Sequence, residues 1–190
     1  MMIRLIKRLI FFWSAPRLGP DMPLTYYLSF SRRISDKICR KKFASFGKRT
    51  EFRVGAYAIE TDKIHLGNNV VIRPGSMLFA SPLSNDLKQI VIEDDVMLGS
   101  GVHIYVSNHT FSDVSKPIIW QGHQNVRPVH IGRGAWIGAN VVILPGVSIG
   151  ENSVIGAGSI VTHSIPARVV ACGNPAKVIR LLDNRHPDSA

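Results

Sequence analysis

Hydrophobic side chains in the second half of the chain return every six residues. The aliphatic positions are Ile131, Ile137, Ile143, Ile149, Ile155 and Val161. Four residues after each comes a second series, which we expect beneath tight corners: Ala135, Val141, Val147, Ser153, Ser159 and Ile165. This period fits neither a helix nor simple strand alternation. It predicts an all-β fold, a parallel β-helix of hexapeptide repeats in which three hexads complete one triangular coil.

The same period occurs upstream, and its interruptions predict loops. Leu66, Ile72 and Leu78 share one phase, and Ile92, Leu98 and Ile104 share another. The spacing from Ile104 to Ile131 is 27 residues, which is not a multiple of six. We therefore expect a β-helix over residues 50–175 with an excursion loop at about 105–130. A shorter break is expected between Leu78 and Ile92.

Helices are predicted at both ends of this body. Pro16, Pro20 and Pro23 divide an arm, residues 1–49, into two helical candidates. The first has basic residues within an arc of about 100° and apolar residues opposite, with Phe11 as the one exception, and the second runs from about Leu24 to Ala44. After Asn174-Pro175, a good helix start, residues 176–190 are predicted to form a short helix to about Leu182 and a tail. This helix would cover the open end of the coil.

The charge of the protein is concentrated in the arm. Residues 1–49 hold 12 Lys and Arg against 2 Asp and Glu, whereas residues 50–190 hold 11 of each kind. The whole formal excess of +10 is therefore in the arm. Three roles remain open for the arm: packing on the coil, contact with another subunit, and contact with an anionic membrane. Nucleic acid is disfavoured, because no recognition motif is present and the body is neutral.

The cysteine content and the hydropathy of the chain indicate the cellular compartment in which we expect the protein. The two cysteines, Cys39 and Cys172, lie far apart and provide neither a disulfide framework nor a thiolate metal site. No apolar run approaches the roughly 20 residues of a membrane span. The apolar run near the N-terminus is too short for a signal peptide, so we expect this segment to be retained. The expected location is the cytoplasm, with peripheral contact at the inner face of a bacterial inner membrane as an option.

The excursion loop is the natural place for chemistry, because loops held by a rigid scaffold commonly carry function. It contains Ser107-Asn108-His109-Thr110-Phe111, and His123 and His130 lie near its far end. Alone, His109 would be read as a solvated loop histidine. Its position in the interrupted repeat favours a catalytic role.

Three segments carry a family resemblance: Gly134-Ala135-Trp136-Ile137-Gly138-Ala139-Asn140-Val141, Ile155–Thr162 and Gly173-Asn174-Pro175-Ala176-Lys177-Val178-Ile179-Arg180. With the Asn108-His109 pair some two dozen residues before Trp136, they resemble the hexapeptide-repeat O-acetyltransferases. The resemblance implies a left-handed β-helix, a homotrimer with active sites between subunits, and acetyl-CoA as co-substrate without a metal. The basic amphipathic start is similar to that of bacterial enzymes that acetylate lipopolysaccharide or capsular sugars.

Specific roles follow from that resemblance. His109, preceded by Asn108, would be the general base for a sugar hydroxyl, and a backbone N–H near Ala139 would stabilise the oxyanion. Contacts to CoA would come from Trp136, Ala139, Ala157, Thr162, His163, Lys177 and Arg180. Two departures matter. His163 stands where many relatives have lysine, and Arg73-Pro74-Gly75 differs from the Asn-rich stretch of galactoside and maltose acetyltransferases.

The predicted function is acetyl transfer to a sugar hydroxyl in surface polysaccharide biosynthesis. Four alternatives stay open: a serine acetyltransferase of the same family, an antibiotic acetyltransferase of that family, N-acetylation of an aminosugar, and a succinyl group as the donor. A metal-dependent β-helix, such as a carbonic anhydrase, needs two histidines five positions apart, and here the spacings are six and seven. A non-catalytic scaffold is the third class, and it would be indifferent to loss of His109.

Overall fold

Three sheets form the body of the computed structural model, which describes residues 2–182. Sheet A contains β1 (Arg17–Leu18), β4 (Tyr57–Ile59), β7 (Met77–Phe79), β10 (His103–Tyr105), β13 (Val142–Ile143) and β16 (Ile160–Val161). Sheet B contains β2 (Ser45–Phe46), β5 (Ile64–Leu66), β8 (Ile90–Ile92), β11 (Val129–Ile131) and β14 (Ser148–Ile149). Sheet C contains β3 (Glu51–Phe52), β6 (Val71–Ile72), β9 (Met97–Leu98), β12 (Trp136–Ile137), β15 (Val154–Ile155), β17 (Val169–Gly173) and β18 (Ala176–Leu181).

The chain visits the three sheets in turn from β2 to β16, and on the last coil Ile165 makes an isolated parallel bridge to Ile149 of sheet B before the chain enters β17 of sheet C. From β2 to β13 each strand pairs in parallel with the strand three places later, as in the register Leu78↔Ile104↔Ile143↔Val161 of sheet A, and β15 pairs in parallel with β17. We call the passages between sheets the A–B, B–C and C–A edges. Parallel pairing begins at Ser45, within the predicted arm.

The two predicted series of inward positions form the core. Every aliphatic from Ile131 to Val161 is at most 1% exposed, and the corner series from Ala135 to Ser159 is equally buried. The buried corner hydroxyls have partners: Ser153 Oγ donates to the Pro166 carbonyl at 2.7 Å, and Ser159 Oγ to the Gly156 carbonyl at 2.6 Å. The six-residue period is thus confirmed as the spacing of core positions.

Both interruptions of the repeat leave from the same edge. The segment 80–89 connects β7 to β8, and the excursion loop 106–128 connects β10 to β11, so both lie at the A–B edge. Because β7 and β10 are neighbours in sheet A, the two loops emerge one coil apart.

The arm is helical but is divided differently from the prediction. Helix α1 spans Met2–Ser14, α2 spans Pro23–Leu28 and α3 spans Arg32–Lys42. A single second helix from Leu24 to Ala44 is therefore wrong. Ser29 Oγ donates to the Thr25 carbonyl and competes with helix continuation, and Ser31 adopts an extended conformation before α3.

The arm covers the N-terminal end of the coil. Phe43, at the end of α3, stacks on Phe46 and packs against Phe52 of the first coil. Strand β1 pairs antiparallel with β4. The ammonium of Lys42 donates to the carbonyls of Phe12, Ala15 and Arg17 at 2.7–3.1 Å, and its burial, with the nearby Lys41, lowers its pKa to about 8.

The predicted C-terminal helix is wrong over the residues that the structure describes. Ala176–Leu181 is strand β18, which folds back antiparallel on β17. The β-branched Val178 and Ile179 favour a strand, and pairing with β17 satisfies the backbone groups at the edge of sheet C. Residues 183–190 of the predicted tail lie outside the described residues.

Candidate active site

His109 lies at the base of the excursion loop, where the two arms of the loop pair with each other. An antiparallel bridge joins His109 to His123. The Thr110 amide donates to the Gly122 carbonyl at 3.0 Å, and the Gln124 amide donates to the Asn108 carbonyl at 2.8 Å. The backbone of Asn108 and His109 is therefore held in a defined place beside sheet A.

The imidazole rings of His109 and His123 pack against each other. Their centroids are 4.4 Å apart at an interplanar angle of 34°, and both side chains are exposed. Sequence reasoning gave His123 no specific role, because nothing in the spacing indicated a bridge across a loop of this length. The structure brings a second histidine directly to the first.

One glutamine side chain braces the tip of this loop. Gln121 Oε1 accepts from the Asp113 amide, and Gln121 Nε2 donates to the Asp113 and Lys116 carbonyls. Hydrogen bonds from Ser115 and Lys116 lower the pKa of the Asp113 carboxyl. Beyond this brace the tip exposes large apolar side chains: Phe111, Val114, Ile118, Ile119 and Trp120.

Aromatic side chains stand on sheet A beside the loops, and sequence reasoning missed them. Phe79 ends β7 and stacks on Tyr105, which ends β10, with ring centroids 5.2 Å apart. The Tyr105 hydroxyl lies 3.3 Å from His103 Nδ1. Their position at the last residue of adjacent strands, each followed by a loop, was the signal available in the sequence.

The acidic run before β9 lies on another edge and does not reach His109. Glu93 Oε1 accepts from His130 Nε2 at 2.9 Å, and Glu93 Oε2 accepts from the Arg133 amide. Hydrogen bonds from Asn68 lower the pKa of the Asp94 carboxyl. Glu93 and Asp94 belong to the B–C edge, and His130 lies in β11 of sheet B with its ring directed to Glu93.

Trp136 and Arg180 share the outer face of sheet C. Trp136 is in register with Val154, Val154 with Val170, and Val170 with Arg180. Three strand spacings of about 4.8 Å put the two backbones roughly 14 Å apart. Trp136 is 51% exposed, as expected for an outward position.

A register shift in the last hairpin brings Lys177 to the same face. Lys177 lies opposite Cys172, Val178 opposite Ala171, and Arg180 opposite Val170, so Ile179 is the extra residue. Cross-strand neighbours share a face. Lys177 and Arg180 are therefore both outward and exposed, although an undistorted strand would turn residues three apart to opposite faces.

Ala139 and Ala157 occupy successive corners of the C–A edge, next to that face. The Gly158 amide donates to the Ala139 carbonyl at 2.8 Å, and a Cβ on Gly138 would lie 2.6 Å from the Ala157 nitrogen. Among the described residues, the Ala139 N–H has no hydrogen-bond acceptor. It is a free donor on a fixed backbone.

Thr162 and His163 are not part of that group. They follow β16 at the A–B edge, where Thr162 Oγ1 is 2.8 Å from His163 Nδ1. This edge also carries the excursion loop, so they stand on the side of His109. The predicted site residues thus form two groups on opposite edges of sheet A: the A–B group with His109, and the C–A group with Ala139, Ala157 and Lys177.

In residues 2–182, no group of three or more histidine, cysteine, aspartate or glutamate side chains is arranged to hold a metal ion. Within the same range, each helix is too short or too polar to cross a bilayer.

Comparison with known proteins identifies the family. The family described as "Bacterial transferase hexapeptide (six repeats)" matches residues 128–163. The galactoside O-acetyltransferase of Escherichia coli K12 is 36% identical over 150 residues, which are 79% of this chain and 70% of that protein. The chain belongs to the hexapeptide-repeat acetyltransferase family.

Solved structures of family members agree with this assignment. A galactoside acetyltransferase in complex with coenzyme A superposes with a TM-score of 0.74 at 32% identity, covering 85% of this chain and 78% of that one. A maltose O-acetyltransferase from Clostridium difficile 630 superposes with a TM-score of 0.70 at 30% identity, covering 92% and 96%.

The brace at Gln121 gives a first prediction. Gln121→Ala removes three hydrogen bonds that are confined to the loop, so amide hydrogen exchange at Asp113 and its neighbours should accelerate by about tenfold or more. Gln121→Glu keeps the acceptor for the Asp113 amide but sets a carboxylate oxygen against the Asp113 and Lys116 carbonyls, so it should accelerate exchange as well. Exchange in β11 should stay unchanged, and acceleration there as well would mean that the loop and coil open together.

Proposed function

We propose that the protein is an acetyl-CoA-dependent O-acetyltransferase that acts on a sugar hydroxyl of a surface polysaccharide or its precursor. The observation that carries the proposal is the placement of His109, fixed on a braced loop beside sheet A, in a chain that belongs to an acetyltransferase family. The coil winds left-handed in this proposal, as the sequence resemblance implies.

His109 acts as the general base. A neutral imidazole has a pKa close to neutrality, which suits removal of a proton from a hydroxyl during attack. The hydroxyl oxygen forms a bond to the thioester carbonyl carbon while the proton moves to His109. Collapse of the tetrahedral intermediate breaks the carbon–sulfur bond, and His109 returns the proton to the CoA thiolate. Asn108 contributes by holding the His109 backbone through the amide of Gln124.

The Ala139 N–H stabilises the developing oxyanion. A donor that is already oriented and has no other acceptor requires no reorganisation when charge develops, which makes this kind of stabilisation effective. The neighbouring corner at Ala157 and the face with Trp136 hold the pantetheine and nucleotide portions of acetyl-CoA. Lys177 and Arg180 meet its phosphates through charge-assisted hydrogen bonds. Thr162 and His163 contact acetyl-CoA from the A–B edge.

A complete site then needs two subunits. The group with His109 and the group with Ala139 lie on opposite edges of sheet A in one chain, so a cleft between two coils can unite them. The exposed apolar tip at Ile118, Ile119 and Trp120 supports this arrangement, because exposed apolar clusters commonly mark protein interfaces. We propose a homotrimer in which the loop of one subunit lies against its neighbour.

The acceptor is a sugar in this proposal. Ligand pockets combine aromatic surfaces with a few polar groups, and Phe79 and Tyr105 provide such a surface next to the His109 loop. The relatives named above act on a galactoside and on maltose. The segment Arg73-Pro74-Gly75, at the C–A edge, stands where such enzymes have an Asn-rich stretch. Because this segment differs, the proposed acceptor is a different glycan.

Replacement of His109 is the principal test. His109→Ala should lower kcat for CoA release by about 10²–10⁴ with a responsive glycan, measured across a panel of sugars and cell-derived glycans. His130→Ala is the control and should retain activity, because that side chain pairs with Glu93 on another edge. His123→Ala should cost less than His109→Ala.

Each outcome separates the hypotheses. If His123→Ala abolishes turnover and His109→Ala does not, the base is misassigned. If the wild-type protein neither releases CoA from acetyl-CoA nor binds acetyl-CoA at millimolar concentration, the scaffold hypothesis replaces the enzyme hypothesis.

The phosphate contacts give an independent prediction. Lys177→Gln and Arg180→Gln should each raise KM for acetyl-CoA by about tenfold with little change in kcat, because each removes a charge-assisted hydrogen bond. Arg168→Gln, an exposed change in the same last coil, is the matched control. An acetyl-CoA analogue lacking the 3′-phosphate identifies which side chain meets that group. Equal effects from all three variants would contradict the assignment.

Subunit mixing tests where the site lies. Co-expression of His109→Ala chains with chains carrying both Lys177→Ala and Arg180→Ala should form mixed trimers in which about a quarter of the interfaces contain two intact groups. At acetyl-CoA concentrations far below KM, where the parent with Lys177→Ala and Arg180→Ala is nearly inactive, activity should therefore exceed that of either variant alone. Activity no higher than the two parents would place the whole site within one chain.

A further inference from the structure

Helix α1 leaves its apolar face uncovered. Leu5, Ile6, Leu9, Ile10 and Trp13 are each at least 40% exposed, and they lie on one side of the helix. The helix contacts α2, and its C-terminal end is held by Lys42 Nζ, which donates to the carbonyl of Phe12 in α1 and to those of Ala15 and Arg17 just after it. A helix of 13 residues, about 20 Å long, therefore presents an apolar strip to the solvent.

Basic side chains lie on the other side of α1 and along α3. Arg4, Lys7 and Arg8 are exposed on the opposite side of α1, and the helix contains no acidic residue. The four-residue spacing of Arg33, Lys37 and Lys41 forms an exposed stripe along α3. The ammonium of Lys41 lies 4.9 Å from the centre of the Trp13 ring, so the stripe joins α1 at its end. We call the apolar strip and these six basic residues the docking surface.

The charge of the docking surface discriminates between occupants. A second copy of the chain would bring the same positive charges and repel. A nucleic acid would neutralise the charges but leave the apolar strip in water. An anionic bilayer satisfies both, because acyl chains accept the strip, and phosphates accept the lysines and arginines. Trp13 with Lys41 suits the headgroup region, where tryptophan and long basic side chains concentrate.

We propose that the docking surface binds peripherally to a bilayer that contains anionic lipid, with α1 lying in the plane of the interface. This inference goes beyond the proposed function and does not depend on it. It assigns to the basic arm the role of holding the whole protein at a lipid surface.

Vesicle sedimentation with the full-length protein tests the proposal. Wild type should sediment at low salt with vesicles of phosphatidylcholine plus phosphatidylglycerol, and much less with phosphatidylcholine alone. High salt should weaken binding, because screening acts on the basic residues. Equal binding to both vesicles at both salt concentrations, or to neither, would overturn the proposal.

Two pairs of variants locate the contact. The triple change Arg4→Gln, Lys7→Gln and Arg8→Gln should lower the partition coefficient about a hundredfold, at roughly fivefold per basic residue. The triple change Lys88→Gln, Lys116→Gln and Arg168→Gln removes the same charge elsewhere and should cost far less. Ile6→Ser with Ile10→Ser should also weaken binding, whereas Leu83→Ser with Leu87→Ser, two equally exposed leucines of the 80–89 loop, should not.

A variant set that binds no worse than its control overturns the proposal. Sedimentation velocity gives a second test. If Ile6→Ser with Ile10→Ser changes the number of subunits, the proposal is overturned, because the apolar strip is then covered by a second copy of the chain. Circular dichroism reports folding of the α1 variants. CoA release with a soluble acceptor should be unchanged in them, so loss of membrane binding and failure of the proposed activity are separate readouts.

Discussion

Pairing between successive coils is the interaction on which the structure depends. Most strands are only two or three residues long, and such strands have no stability of their own. Each strand inside a sheet is fixed because it is hydrogen-bonded to a strand from the coil before and another from the coil after, while its aliphatic side chain stacks in the common core. Position along the coil is therefore defined closely, and a residue on one hexad has a known neighbour on the next. The register from Trp136 through Val154 and Val170 to Arg180 is a direct result.

The sequence predicted the coil well because its determinants are local and repeated. One buried aliphatic per hexad is visible in the letters, and so are the two places where the phase is lost. The ends were predicted less well. Asn174-Pro175 fits a helix start as well as it fits a turn, and the free edge of sheet C, which no local signal reports, decided in favour of a strand. The division between α2 and α3 has a similar origin in Ser29 and Ser31, whose hydroxyl chemistry weakens a helix that the apolar pattern alone would continue.

The candidate site shows the same division between local and distant information. The motifs identified His109 and the last hairpin, but they could not show that His109 packs on His123, because that contact joins two ends of an irregular loop. Nor could they separate Thr162 and His163 from Ala139 and Ala157, since residues a few positions apart in sequence lie on different edges once the chain has turned a corner. Assigning each residue to an edge is what makes a site between two subunits the natural arrangement.

Loops that leave from a single edge also affect how relatedness should be interpreted. An insertion at a corner changes neither the strand before it nor the strand after it, because each is held by other coils. Its length and composition are therefore free to diverge while the hexads remain recognisable. Sequence identity along the coil therefore indicates common descent, and it indicates that the surfaces built by the hexads are shared. It carries little information about what the segments 80–89 and 106–128 recognise, so proteins of this kind with similar coils can differ completely in the molecule they modify.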